Sequence, residues 1–287
     1  MKQKYKWFVG VMMAGGLGIG TTSCVDEIKF GNSFLEKAPG GSATQDTIFN
    51  SVTYTRQFLN TCYSRQYYGL PYVNSSVDDF PDSSNPYTGK FDALTDCWQL
   101  HYSGTTVYNS YYSGTHTANY RIRGDIFGYT REGVWQTVRW CWLLLENVDR
   151  VPGMGEDEKV KMKAEAKCLI AARYFDMFRH YGGLPLIYAS FMGTETNYQL
   201  PRATVEETVN YMDKMLEEAI ESGGLKWAYE GADFNSDSGH WTLAGAMALR
   251  CKLWQFAASP LFNDTQGYAG GRSEAEQQHL VWYGSKR

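Results

Sequence analysis

The sequence predicts an all-α protein of stacked helix pairs joined by long irregular loops. Apolar residues recur at helical spacing in five separate segments, and capping residues or Pro and Gly stops bound those segments. Helix pairs with broad apolar surfaces and small residues at their contacts suit stacking, because no pair buries its faces alone. The strict tetratricopeptide consensus and its fixed period are absent.

The first helix is expected from Thr47 to about Tyr67, where Ile48, Val52, Thr55, Leu59, Cys62 and Gln66 recur in steps of four and three. From Tyr68 to Gly133 the period disappears, and Ser, Gly, Asn and Asp accompany nine of the 21 tyrosines. Such a stretch reads as long ordered loops, and long loops in compact domains usually carry function. Regularity returns at Trp135: Val138, Trp142 and Leu145 form one stripe, Cys141, Leu144 and Val148 a neighbouring one. Val151-Pro152-Gly153 stops this helix, and Glu156, Asp157 and Glu158 then suit the positive end of the next helix dipole. The two should form a hairpin.

The strongest helix follows. Ala164, Cys168, Ala171, Phe175 and Phe178 lie on one stripe, and Ala166, Ile170, Met177 and Tyr181 on another, so neighbours are expected on both sides. Gly182 and Gly183 supply the cap, and Pro185 prevents continuation. An extended run from Leu184 to Tyr188 comes next. Thr204 and Glu207 have the spacing of a reciprocal capping box, with Val205, Val209, Met212, Leu216, Ala219 and Ile220 marking the core side of the helix that follows. A last helix from about Thr242 to Ala258 is apolar nearly all round, and its alanines 244, 246, 248, 257 and 258 would let neighbours approach closely; Ser259-Pro260 ends it.

The chain has 287 residues, 43% of them hydrophobic, and a net charge of −4. A real core is affordable, and nothing basic invites nucleic acid. Aromatic residues make up 15% of the chain, more than a helical core ordinarily uses, so some rings are expected to face a ligand. Residues 1–23 have the form of an export signal: Lys2, Lys4 and Lys6 precede an apolar run from Trp7 to Ile19, too short to span a bilayer, and small residues lead to Cys24. This resembles a bacterial lipoprotein signal, with Thr21 where Leu is usual. The resemblance implies that Cys24 is acylated, and that residues 24–32 form a tether whose Asp26 and Glu27 resemble a surface-export signal of Bacteroidota. The alternative is an ordinary signal peptide followed by an unremarkable cysteine. Five further cysteines, an odd number without metal-like spacing, indicate neither a disulfide scaffold nor a zinc site.

The segment running from Glu165-Ala166-Lys167-Cys168-Leu169 through Arg173-Tyr174-Phe175 to Arg179-His180-Tyr181-Gly182-Gly183-Leu184-Pro185-Leu186 resembles the hallmark of SusD/RagB lipoproteins. Ser33-Phe34-Leu35-Glu36-Lys37-Ala38-Pro39, Pro201-Arg202-Ala203-Thr204 and Ala257-Ala258-Ser259-Pro260 extend the resemblance in the family's order. It implies tetratricopeptide-like helix pairs over residues 33–287, a lipid anchor on the outer membrane, and a SusC-like TonB-dependent channel as partner. The cargo would be a glycan, in some members a peptide. Family members usually run to about twice this length, so the chain is expected to be the N-terminal part of a longer protein, an interrupted gene product, or a partial prediction.

Capturing a glycan without catalysis asks for flat aromatic faces against sugar C–H groups and for Asp, Asn or Arg to take the hydroxyls. Tyr72, Asp78, Asp79, Trp98, His101 and Tyr102 are the candidates, placed where the family's early contacts fall. Against this, Trp98 could pack beneath its own loop, and Asp78-Asp79 could form a solvated turn. Asp233 to Gly239 imitates the start of a calcium loop, but the glycine is one position late and Ala244 stands where an acid is needed, so a polar loop without metal is expected. No cofactor is implied, and GxSxG, HExxH and phosphate-loop patterns are missing. Arg173, Asp176, Arg179 and His180 are spaced as helical partners that lace an inter-helix face. A helical glycoside hydrolase, needing two carboxylates across a cleft, and a truncated scaffold without a completed site are the competing readings.

Overall fold

A computed structural model describes residues 44–64, 96, 97, 99, 112, 113, 132–191 and 199–284. Its compact unit begins at Thr47; of the preceding unit only residues 44–46 are described. The described elements are all helical: α1 (Gln45–Phe49), α2 (Val52–Tyr63), α3 (Glu132–Asn147), α4 (Glu156–Tyr181), α5 (Val205–Glu221), α6 (Ala232–Asp237), α7 (Leu243–Ala257), α8 (Pro260–Asn263) and α9 (Glu274–Gln277). A 3₁₀ turn, Val148–Arg150, closes α3. No strand occurs among the described residues, and no helix among them is long and apolar enough to cross a membrane.

The one helix expected at the start is two. Ser51 adopts an extended backbone (φ −139°, ψ 124°), and its hydroxyl accepts a hydrogen bond from Tyr54 N at 3.4 Å, so it caps a new helix rather than continuing the old one. Thr55 spans the break, its hydroxyl donating to the carbonyls of Ile48 at 3.0 Å and Ser51 at 2.9 Å. Thr55 lies on the apolar stripe and is fully buried, but the burial serves this polar stitch.

The 26-residue α4 is the axis of the molecule, packed against α2, α3, α5 and α7. Both of its apolar stripes are covered, and Cys168, Leu169, Ile170, Tyr174, Met177 and Phe178 are inaccessible to solvent. Each large apolar side chain so buried contributes roughly 1.5–3 kcal/mol. At its C-terminal end Phe178 stacks on Phe262 of α8 with centroids 5.0 Å apart, while Phe256 of α7 meets both rings edge-on.

Gly182 ends α4 at φ 74°, its N–H bonding to the Phe178 carbonyl at 3.0 Å. At the adjacent Gly183 a Cβ would fall 2.0 Å from the Ala203 carbonyl oxygen, so only glycine allows the approach. The segment after it pairs with no strand among the described residues; beyond one backbone bond, from Ala203 N to Leu184 O at 3.0 Å, it is held by side chains. Tyr174 donates to Pro185 O at 2.8 Å and accepts from Ile187 N at 3.0 Å, and Tyr211 donates to Ile187 O at 2.6 Å. Further on, Glu146 of α3 accepts from Ser190 N at 2.8 Å, and Arg139 donates to Phe191 O at 2.6 Å.

The capping box of α5 is present in both directions: Glu207 N donates to Thr204 Oγ1 at 3.2 Å, and Thr204 N to Glu207 Oε2 at 2.8 Å. Backbone and side-chain hydrogen bonds from Thr204 hold the Glu207 carboxyl below its ordinary value. Two expectations are corrected. The polar loop at Asp233–Gly239 contains the helix α6, since Lys226 pairs with Asp233 and Lys161 with Asp237, which neutralises the acids that would otherwise repel. The apolar α7 is not enclosed all round: Ala246, Leu253 and Ala257 are buried, whereas Ala248 and Ala258 are exposed and Met247 and Trp254 are each 44% accessible. Its exposed flank is fixed by polar contacts to α5. Arg250 donates to Asp213 at 2.7 Å and Glu217 at 3.0 Å, and Trp254 Nε1 to Asp213 at 2.7 Å.

Candidate functional site

Cys24 and all six loop candidates, Tyr72, Asp78, Asp79, Trp98, His101 and Tyr102, lie outside the described residues. What the described part does bring together is a cleft of about 820 Å³ along the first half of α4, between α2, the α5–α6 connection and α6. Gly224 makes one wall possible, because a Cβ there would sit 2.8 Å from Lys161 N on α4. Its neighbour Gly223 supplies the turn at φ 71°.

At the rim, Arg56 of α2 grips Glu158 of α4 through two hydrogen bonds of 2.5 and 2.9 Å. The Arg56 hydrogen bonds hold the Glu158 carboxyl below its ordinary range against the opposing pull of burial. Deeper, Lys161 Nζ lies 2.5 Å from Asp237 and 5.2 Å from the centre of the Tyr229 ring. Burial works to raise the Asp237 carboxyl, but hydrogen bonds from Lys161 and Ser236 outweigh it and hold it down.

The floor is Glu165, fully buried in mid-α4. Its Oε2 accepts from the Tyr63 hydroxyl at 2.8 Å and lies 2.9 Å from His240 Nδ1. Tyr63 OH in turn accepts from Trp241 N at 2.8 Å, so α2, α4 and the entry to α7 meet at one carboxylate. Burial and the nearby Glu165 charge push the Tyr63 phenol far up. Sequence inspection passed over this group. Its members sit 102 and 75 residues apart along the chain, and only the hallmark segment signals Glu165.

The Arg173–Asp176–Arg179 series is a separate, structural arrangement. Asp176 and Arg173 are buried, Arg179 donates to Asp176 at 2.7 Å, and Arg173 lies 3.9 Å from it. Burial raises the Asp176 carboxyl although both arginines pull it down. These pairs run along α4 itself at i,i+3 spacing, rather than across to another helix as the lacing expected of these residues would require. Among the described residues no group of three His, Cys, Asp or Glu side chains is placed to hold a metal ion.

No protein-family model matches the sequence, and no curated protein matches it. Solved structures do. A SusD-like protein from Bacteroides fragilis aligns over 77% of this chain and 38% of its own, at 20% identity and a TM-score of 0.52. A SusD-like carbohydrate binding protein from the same organism aligns over 74% of this chain and 40% of its own, at 18% identity and a TM-score of 0.55. The chain has a SusD-like fold. It spans less than half the length of the structures it matches.

Proposed function

We propose that this chain is a nutrient-binding lipoprotein of the SusD/RagB type that captures an oligosaccharide at the cell surface and delivers it to a SusC-like TonB-dependent channel, without making or breaking a bond. The observation that carries the proposal is the SusD-like fold over about three quarters of the chain, one of the solved relatives being named as carbohydrate binding. In this reading Cys24 carries the lipid anchor to the outer membrane and residues 24–32 are the tether. Tyr72, Trp98 and Tyr102 supply stacking faces, and Asp78, Asp79 and His101 take hydroxyls in the sugar plane.

Two experiments test it. Electrophoresis of the purified chain through gels containing soluble polysaccharides should show retardation by at least one glycan, with Trp98→Ala reducing it; migration unchanged in every glycan and binding of peptides instead would transfer the proposal to peptide cargo. Sugars released on incubation would overturn the purely binding role. The intact mass of the native protein extracted from outer membranes in detergent should show acylation at Cys24 and loss of residues 1–23, and an unacylated species would remove the anchor.

A further inference from the structure

The cleft along α4 contains a carboxylate whose two oxygens are treated unequally. Glu165 Oε2 has two partners, Tyr63 and His240, whereas Oε1 is buried and accepts no hydrogen bond. Lys161 Nζ stands 3.8 Å from Oε1, beyond hydrogen-bond range but near enough for one interposed oxygen to serve both. A buried carboxyl oxygen without a hydrogen bond is costly, so a donor belongs there.

The charge pattern narrows what that donor is. An ammonium group at this point would press on Lys161. An anion would meet Glu165, Asp237, Glu158 and Asp157, which all line the cleft. A neutral hydroxyl accepts from Lys161 and donates to Glu165, and so suits both. The volume of about 820 Å³ falls within the range of small-molecule sites, and the Arg56–Glu158 pair at the rim offers further donors and acceptors to neighbouring hydroxyls.

We infer that this cleft is a second carbohydrate subsite, which seats one sugar residue with a hydroxyl bridging Glu165 and Lys161. It shares its ligand class with the proposed function, and rests on that reading for the choice of sugars over other polyols, but uses none of the loop residues. Its lining mixes charged side chains with Leu59, Val160 and Met162 and offers no Trp, Tyr or Phe face, so it suits a single terminal residue held by hydrogen bonds rather than a chain laid across a platform.

The test is saturation-transfer NMR on the full chain in detergent with D-glucose, D-galactose, D-mannose, D-xylose and N-acetylglucosamine, run beside the polysaccharide gels. At least one monosaccharide should bind the wild type and Trp98→Ala alike, and Lys161→Met should weaken it by about tenfold or more while far-UV circular dichroism stays unchanged. Glu165→Gln should do the same; should it fail to fold, Lys161→Met decides. Monosaccharide binding that is absent, or that survives Lys161→Met, overturns the inference and leaves a bridging water as the occupant. If polysaccharide binding persists in that case, the proposed function stands alone; if both are absent, both fall.

Discussion

Tyr63 shows how one side chain can hold three segments. Its hydroxyl donates to Glu165 and accepts from Trp241 N, so Tyr63→Phe leaves a half-buried amide and a buried carboxylate each short of a partner. A loss of about 1–3 kcal/mol is expected, read as a lower urea midpoint with an unchanged slope. The same phenol carries a pH signature. Burial first, then the Glu165 charge, raises its folded-state pKa above the unfolded value near 10. The folded state thus keeps a proton that the unfolded state releases. The contribution to stability is complete below about pH 10 and is lost as pH rises beyond it. Burial shifts Tyr174 and Tyr211 in the same direction, so urea midpoints should fall steeply above that pH, and less steeply in Tyr63→Phe. A midpoint flat to pH 11 would contradict the buried phenols.

At the scale of elements, glycines and caps decide where helices stop and how closely they meet. Gly183→Ala drives a methyl group into the Ala203 carbonyl and should cost about 3 kcal/mol or more. Gly223→Ala has open space around it but a left-handed backbone, so its cost should be only about 1–2 kcal/mol. Equal thermal shifts for the two would mean that the close approach at Gly183 relaxes freely. Thr204→Ala removes half of the capping box and should cost about 1 kcal/mol. Because Glu207 is held below its ordinary pKa by the Thr204 amide, the stabilisation it adds is present above about pH 4.5 and fades as pH falls through the folded-state value. The amide survives in Thr204→Ala, but the hydroxyl that also donates to Glu207 Oε2 at 2.9 Å is lost, and the deficit should shrink in acid by that share.

On the scale of the whole molecule, α4 is the common wall of two regions with different duties. Its C-terminal half is enclosed by α5, α7 and the Phe178–Phe256–Phe262 cluster, while its N-terminal half fronts the cleft. Substitutions in the cleft rim should consequently spare the core. Arg56→Ala breaks an exposed bidentate pair with Glu158 and is expected to change stability by no more than about 1 kcal/mol. A drop of several kcal/mol would instead make the rim a structural clamp.

The sequence by itself determined the all-helical class, the extent of α4, the Gly182–Pro185 stop and the capping box at Thr204, because these depend on periodicity and on contacts within four residues. The tertiary structure alone decided the break at Ser51, the helix at Ala232–Asp237, the exposed flank of α7 and the Glu165–Tyr63–His240 junction. The break at Ser51 is set by side-chain bonds within seven residues that periodicity does not register, whereas the other three turn on partners farther away in the chain: Lys161 of α4 neutralises Asp237 of α6, and α7 shows solvent a face that its composition would bury. Apolar periodicity states which residues are able to be buried; only the packing of distant segments states which of them are, and which buried charge is left with an oxygen to share.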